Sequence, residues 1–136
     1  MENKNISVNL VEAKNLNATS IHVTFKNNGS GAYFLDKKLA FANNKYYVDC
    51  LVLTMDGVSF ERTKKFKVAE SKFPEDYVKI EPGTSLSVEL ELNKHFSIPN
   101  SGVILVQYKG LNFNVELNKL DDILSNVIEI ELGSKK

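Results

Sequence analysis

Between Ser85 and Leu92 the chain alternates without a break. Leu86, Val88, Leu90 and Leu92 take one parity, and Ser87, Glu89 and Glu91 take the other. Successive side chains of a strand point to opposite faces, so this stretch buries one face and wets the other. A helical period of 3.6 would scatter both residue classes around the axis. The chain is thereby committed to a half-buried antiparallel strand, and such a strand needs partners.

Those partners read the same way. Ile6, Val8 and Leu10 alternate with Ser7 and Asn9. Ile21, Val23 and Phe25 alternate with His22 and Thr24 up to the turn chemistry of Asn27-Asn28-Gly29-Ser30-Gly31, read here as a loose hairpin turn. A long β-rich run from Tyr46 to Met55 ends at Asp56-Gly57, the residue pair of a type I′ hairpin, and Val58-Ser59-Phe60 can return beside it. Phe66-Lys67-Val68 and Tyr77 to Ile80 follow, the latter stopped by Glu81-Pro82-Gly83. Val103 to Tyr108 is nearly continuously apolar and predicts a central strand. Phe113, Val115 and Leu117 alternate again, as do Ile128, Ile130 and Leu132.

One segment reads as helix. Asn118 suits a cap, Asp121 and Asp122 suit a first turn, and Leu120, Ile123 and Leu124 share a helical face. The stretch from Tyr33 to Phe41 fits either an irregular strand or a helical turn. Short strands with turn signals between them, and no repeat or linker, predict one domain over residues 1–136. The fold class is all-β: an immunoglobulin-like antiparallel β-sandwich of about eight or nine strands with one short connecting helix.

At 136 residues and 43% hydrophobic content the chain can build its own core. Seventeen basic and seventeen acidic side chains balance, so no global field draws it to nucleic acid or to an anionic membrane. No apolar run approaches the length that spans a bilayer, and Met1-Glu-Asn-Lys-Asn5 lacks the apolar core of a leader peptide. The expectation is a cytoplasmic, soluble protein, with a secreted or periplasmic location open to a chain trimmed of its leader.

Catalytic chemistry is hard to assemble from these residues. The two histidines, His22 and His95, do not begin an HExxH pattern, and they read as a solvated strand residue and a loop residue. Cys50, the single cysteine, lies in an apolar stretch read as strand, where a thiol behaves as a small hydrophobe. Gly83-Thr84-Ser85-Leu86-Ser87 lacks the closing glycine of a nucleophile elbow. The reading is therefore a non-enzyme without cofactor or metal. Arg62, Lys64, Lys65, Lys67 and Lys72 form the one local basic feature, open to reading as a solvated edge strand, a protein-partner site or a nucleic-acid patch. The solvated edge leads, and nucleic acid is not expected as a partner.

Three stretches carry a family resemblance: Ile21-His-Val-Thr-Phe-Lys-Asn-Asn-Gly29, Leu51-Val-Leu-Thr-Met-Asp-Gly57, and Glu75-Asp-Tyr-Val-Lys-Ile-Glu-Pro-Gly-Thr-Ser-Leu-Ser-Val-Glu-Leu90. The ending Leu124-Ser-Asn-Val-Ile-Glu-Ile-Glu-Leu132 fits the same pattern. Together they resemble the β-sandwich domain that accompanies deuterolysin and peptidyl-Lys zinc metalloendopeptidases. A looser similarity links them to intracellular proteinase-inhibitor sandwiches. The peptidase domain itself has no counterpart, and no catalytic residue carries over. The resemblance implies a sandwich that binds or restrains a protease.

The leading functional expectation is a non-catalytic protein-interaction module whose partner is another protein, a peptidase among the candidates. It would use edge-strand pairing or the loops at Asn27 to Gly31, Ser71 to Asp76 and His95 to Gly102. The candidate partner-binding residues are Tyr33, Phe34, Phe73, Phe96, Lys64, Lys65 and Lys67. The alternatives are an immunity or inhibitor protein that neutralises a toxin or hydrolase, and a structural assembly domain. Clustering of Glu89, Glu91, Glu129 and Glu131 on one face would favour the former.

Overall fold

The computed structural model describes residues 5–13, 18–63 and 69–133. It is an all-β sandwich of nine strands among those residues. In chain order they are β1 (Ile6–Ala13), β2 (Ser20–Asn27), β3 (Tyr33–Asp36), β4 (Leu51–Met55), β5 (Val58–Ser59), β6 (Tyr77–Ile80), β7 (Ser85–Glu91), β8 (Gly102–Asn114) and β9 (Lys119–Leu132). Seven of them run in the order β5-β4-β8-β9-β1-β2-β7, while β3 and β6 pair separately. The predicted segment around Phe66 lies outside the described residues.

The seven-stranded sheet folds over on itself. Two strands intervene between β8 and β2, a separation of about 14 Å in a flat sheet at ~4.8 Å per step. Yet Phe25 of β2 and Tyr108 of β8, both fully buried, meet edge to face with ring centroids 5.4 Å apart. The fold line is the seam between β9 and β1. There a single parallel bridge, Val8 to Ser125, replaces a full ladder. This one parallel pairing corrects the expectation of a purely antiparallel sandwich; the other pairings are antiparallel. Ile21, Val23, Leu53, Ile104, Val106 and Ile130 fill the space between the two leaves.

The β3–β6 pair packs against the far half of β8. Asn112, fully buried, donates to the Phe34 carbonyl at 3.0 Å and accepts from the Asp36 N–H at 2.9 Å. On the other side Asn27 donates to the Ile80 and Gly31 carbonyls at 2.8 Å each. Side-chain amides thus stand in for a ladder where two sheets meet.

Several local expectations are corrected. The segment from Asn118 is no helix: Asn118 turns with φ 52 and β9 begins at Lys119. Leu120 and Leu124 share a face in a strand as they do in a helix, but Ile123 falls on the opposite, buried face. Pairing with β8 over twelve residues outweighs two local capping signals. The long run from Tyr46 becomes strand only at Leu51, because the buried Tyr46 hydroxyl takes the Leu51 N–H at 2.9 Å. Cys50 therefore sits in irregular chain before β4 rather than mid-strand. Beyond Phe113 the expected strand stops at Asn114, whose Oδ1 accepts the Glu116 and Leu117 N–H groups in a turn. Gly29-Ser30-Gly31 is not a hairpin turn either: it carries the chain from β2 to β3, which belong to different sheets. At Asp56-Gly57 the predicted hairpin forms, with positive φ at both residues and Met55 opposite Val58.

Candidate interaction surface

The residues picked out from sequence divide into three groups. Tyr33 and Phe96 are core, 6% and 2% exposed, and cannot meet a partner in the folded chain. The Tyr33 hydroxyl donates to Asp121 Oδ2 at 2.9 Å and accepts from Asn112 Nδ2 at 2.9 Å. Burial pushes its pKa well above the ordinary tyrosine value, which keeps the phenol a donor to that carboxylate. Phe96 packs on Tyr46 at 5.3 Å and bridges to Arg62 through the backbone. Phe34 and Phe73 do come together, edge to face at 5.0 Å, with Tyr77 5.6 Å beyond. Phe73 is 46% exposed, so this is a small open aromatic cluster beside β3 and β6. Lys64, Lys65 and Lys67 lie outside the described residues.

Arg62 serves the fold. It donates to the Tyr47 carbonyl at 2.6 Å, lies 3.1 Å from Asp49 and sits over the Tyr46 ring at 5.7 Å. Cys50 is 1% exposed, and burial raises its thiol far above the ordinary value. His22 stands on the outer face of β2, 3.8 Å from Glu89. His95 follows β7 in a turn, its pKa lowered by partial burial and by the neighbouring Lys94. Among the described residues no three His, Cys, Asp or Glu side chains gather as a metal cluster, and no helix is long and apolar enough to cross a membrane.

The feature that stands out is one that the sequence reading missed. The two leaves of the sandwich present unlike outer faces. On the leaf of β1, β2 and β7 the outward residues are mainly polar: Ser7, Asn9, His22, Lys26, Ser85, Ser87 and Glu89, with Val11 the apolar exception. On the leaf of β4, β8 and β9 they are largely apolar. Phe113 stands opposite Leu120, Leu111 opposite Asp122, and Lys109 opposite Leu124, with Leu117 in the turn beyond. Leu111 is 60% exposed, Leu120 56% and Phe113 40%. Further along the same two strands Val103, Leu105 and Val127 are also exposed, with Glu131 opposite Val103, Glu129 opposite Leu105 and Gln107 opposite Val127.

Five of these apolar side chains, Leu111, Phe113, Leu117, Leu120 and Leu124, are each 40–60% exposed around the β8–β9 turn, and an exposed apolar cluster rimmed by charged residues such as Lys109 and Asp122 marks an interaction surface. The signals were present. The run from Val103 to Tyr108 is apolar on both parities, which buries one face and leaves the other apolar as well. Leu120 and Leu124 carry the spacing of a helical face, but the chain there is strand.

No protein-family model matches this chain, and no curated protein matches it.

Proposed function

We propose that this chain is a non-catalytic protein-interaction module, and that its partner packs on the outer face of the β4–β8–β9 leaf. One observation carries the reading: an apolar surface on one leaf, set against a polar one on the other. Water-facing Leu111, Phe113, Leu120 and Leu124 stand outside the buried core. Covering them with a partner removes their apolar area from water at about 25 cal/mol per Å², which makes them the apolar centre of an interface whose polar rim extends beyond them. The asymmetry also orients the partner. The polar leaf stays wet, and Lys109 and Asp122 at the patch supply polar groups that fix register.

A peptidase is the partner class to assay first, a choice that rests on the sequence resemblance. The toxin-neutralising alternative gains no support from charge, because Glu89 and Glu91 on β7 are separated from Glu129 and Glu131 on β9 by β1 and β2.

The test is a paired capture from a lysate of the source cell. The baits are the wild-type chain and a variant carrying Leu111→Lys with Leu120→Lys, its fold checked by far-ultraviolet circular dichroism. The reading expects one stoichiometric protein held by the wild type and lost by the variant. Retention by both baits, or by neither, contradicts it.

A further inference from the structure

Among the described residues β7 has no strand beyond it, and its outer edge is built to accept one more. Two backbone hydrogen bonds fix which of its peptide groups are spare. Leu92 N–H donates to the Thr19 carbonyl at 2.8 Å, and Asn27 N–H donates to the Thr84 carbonyl at 3.1 Å, at the two ends of the β2–β7 ladder. In an antiparallel ladder the bonded pairs alternate. The even-numbered residues Leu86, Val88 and Leu90 therefore turn their N–H and C=O towards β2. Ser85, Ser87 and Glu89 turn theirs away, on the side where the sheet order places no neighbour.

The only protective device on this edge is charge, from Glu89 and Glu91. β7 runs seven residues without proline, bulge or lysine. The opposite edge of the same sheet, β5, has two residues and offers no such length. A groove of about 460 Å³ follows β7 from Ser87 to Glu91, with Asn44, Lys94 and His95 on its other wall. Leu86 and Val88, on the inward face, are only half-buried. An added strand would cover them.

We propose that β7 binds an extended segment of another protein by strand addition, and that this segment alternates apolar and basic residues. Apolar side chains at one parity lie over Leu86 and Val88. Basic side chains at the other parity meet Glu89 and Glu91, the two carboxylates that β7 itself presents on that face, with Lys94 beyond its C-terminal end. His22 and Lys26 face the same side from β2, His22 already within reach of Glu89. The site lies on the polar leaf, away from the apolar patch of β8 and β9, so either reading can fail alone.

The probe is a capped heptapeptide alternating Val and Lys, titrated into the ¹⁵N-labelled full chain. The expected result is amide shifts confined to Ser85–Glu91 and the facing Asn44 and His95, with slowed hydrogen exchange at the Ser87 and Glu89 N–H groups. A peptide alternating Val and Glu should bind at least ~10-fold more weakly. Ser87→Pro should abolish binding and keep the fold, because the N–H it removes is not part of the β2–β7 ladder. Glu89→Lys, which leaves the backbone intact, should reverse the preference between the two peptides. The proposal is overturned by shifts elsewhere, by equal binding of the acidic peptide, by undiminished binding to either variant, or by β7 shifts that follow protein concentration without peptide.

Discussion

Asn126 offers both atoms of its side-chain amide to the backbone of Leu10. Its Oδ1 accepts the Leu10 N–H at 2.8 Å, and its Nδ2 donates to the Leu10 carbonyl at 3.0 Å. The contact crosses the seam where β9 leaves one leaf of the sandwich and β1 enters the other. A bulge makes it possible. Between Gln107 and Lys109 the pairing slips by one residue, so that Ser125 and Asn126 together oppose Tyr108. Ser125 then caps the Tyr108 N–H at 2.8 Å, which frees Asn126 to reach across. One extra residue thus lets a strand serve two leaves.

Asn126→Ala should therefore destabilise the chain by about 2 kcal/mol, the net worth of two partly buried hydrogen bonds to backbone. Asn126→Asp should cost at least as much, since it keeps the acceptor but sets a carboxylate against the Leu10 carbonyl. Urea unfolding checks both, read as a lower midpoint at unchanged slope.

Gly110 leaves room for Tyr108. Both face inward on β8, two residues apart, and a Cβ at Gly110 would lie 2.8 Å from Tyr108 Cε1 and 2.9 Å from its hydroxyl. That ring is fixed at its far end, where the hydroxyl donates to the Leu39 carbonyl at 2.9 Å. Gly110→Ala should cost about 2–3 kcal/mol through overpacking in the middle of the core. Its signature in a thermal melt is a fall of more than ~8 °C.

Cys50 couples stability to alkaline pH. Burial raises its folded-state pKa far above the unfolded value, so the thiol stays neutral in the fold. Its contribution is fully present below about pH 8.5 and is lost as pH rises past that value, because the unfolded chain then releases a proton that the folded chain keeps. The slope approaches ~1.4 kcal/mol per pH unit for this one group. Between pH 8.5 and 9.5 the wild type should lose stability at a rate that Cys50→Ala does not share. Alkylation of the native thiol should follow the unfolding rate rather than the pH.

Strand positions were legible wherever one face is buried and the other polar. Leu86 to Leu92 and Ile21 to Phe25 alternate for that reason; the second forms strand throughout, and the first does so up to Glu91, where Leu92 opens a short 3-10 turn. Legibility failed where the outer face is apolar too, since alternation then vanishes. Val103 to Tyr108 announced a strand without announcing that its second face is open. It also failed where four-residue spacing suits either geometry, as for Leu120 and Leu124. Exposure of aromatics could not be read at all: Tyr33 and Phe34 are neighbours, and only the second reaches the surface cluster. The buried Tyr33–Asn112–Asp121 contacts join residues 79 and 88 positions apart, a distance that no local pattern encodes.

The measurement that tests the interaction surface most directly is hydroxyl-radical footprinting of the chain, alone and in the complex recovered from its own source. Phe113, Leu120 and Leu124 should be oxidised readily in the isolated protein and at least ~5-fold less in the complex, as expected of side chains at the dry centre of an interface. Val58, 68% exposed at the tip of the β4–β5 hairpin, should react equally in both. If a partner is bound while Phe113 and Leu120 stay as reactive as before, the apolar leaf is not the interface and the account is wrong.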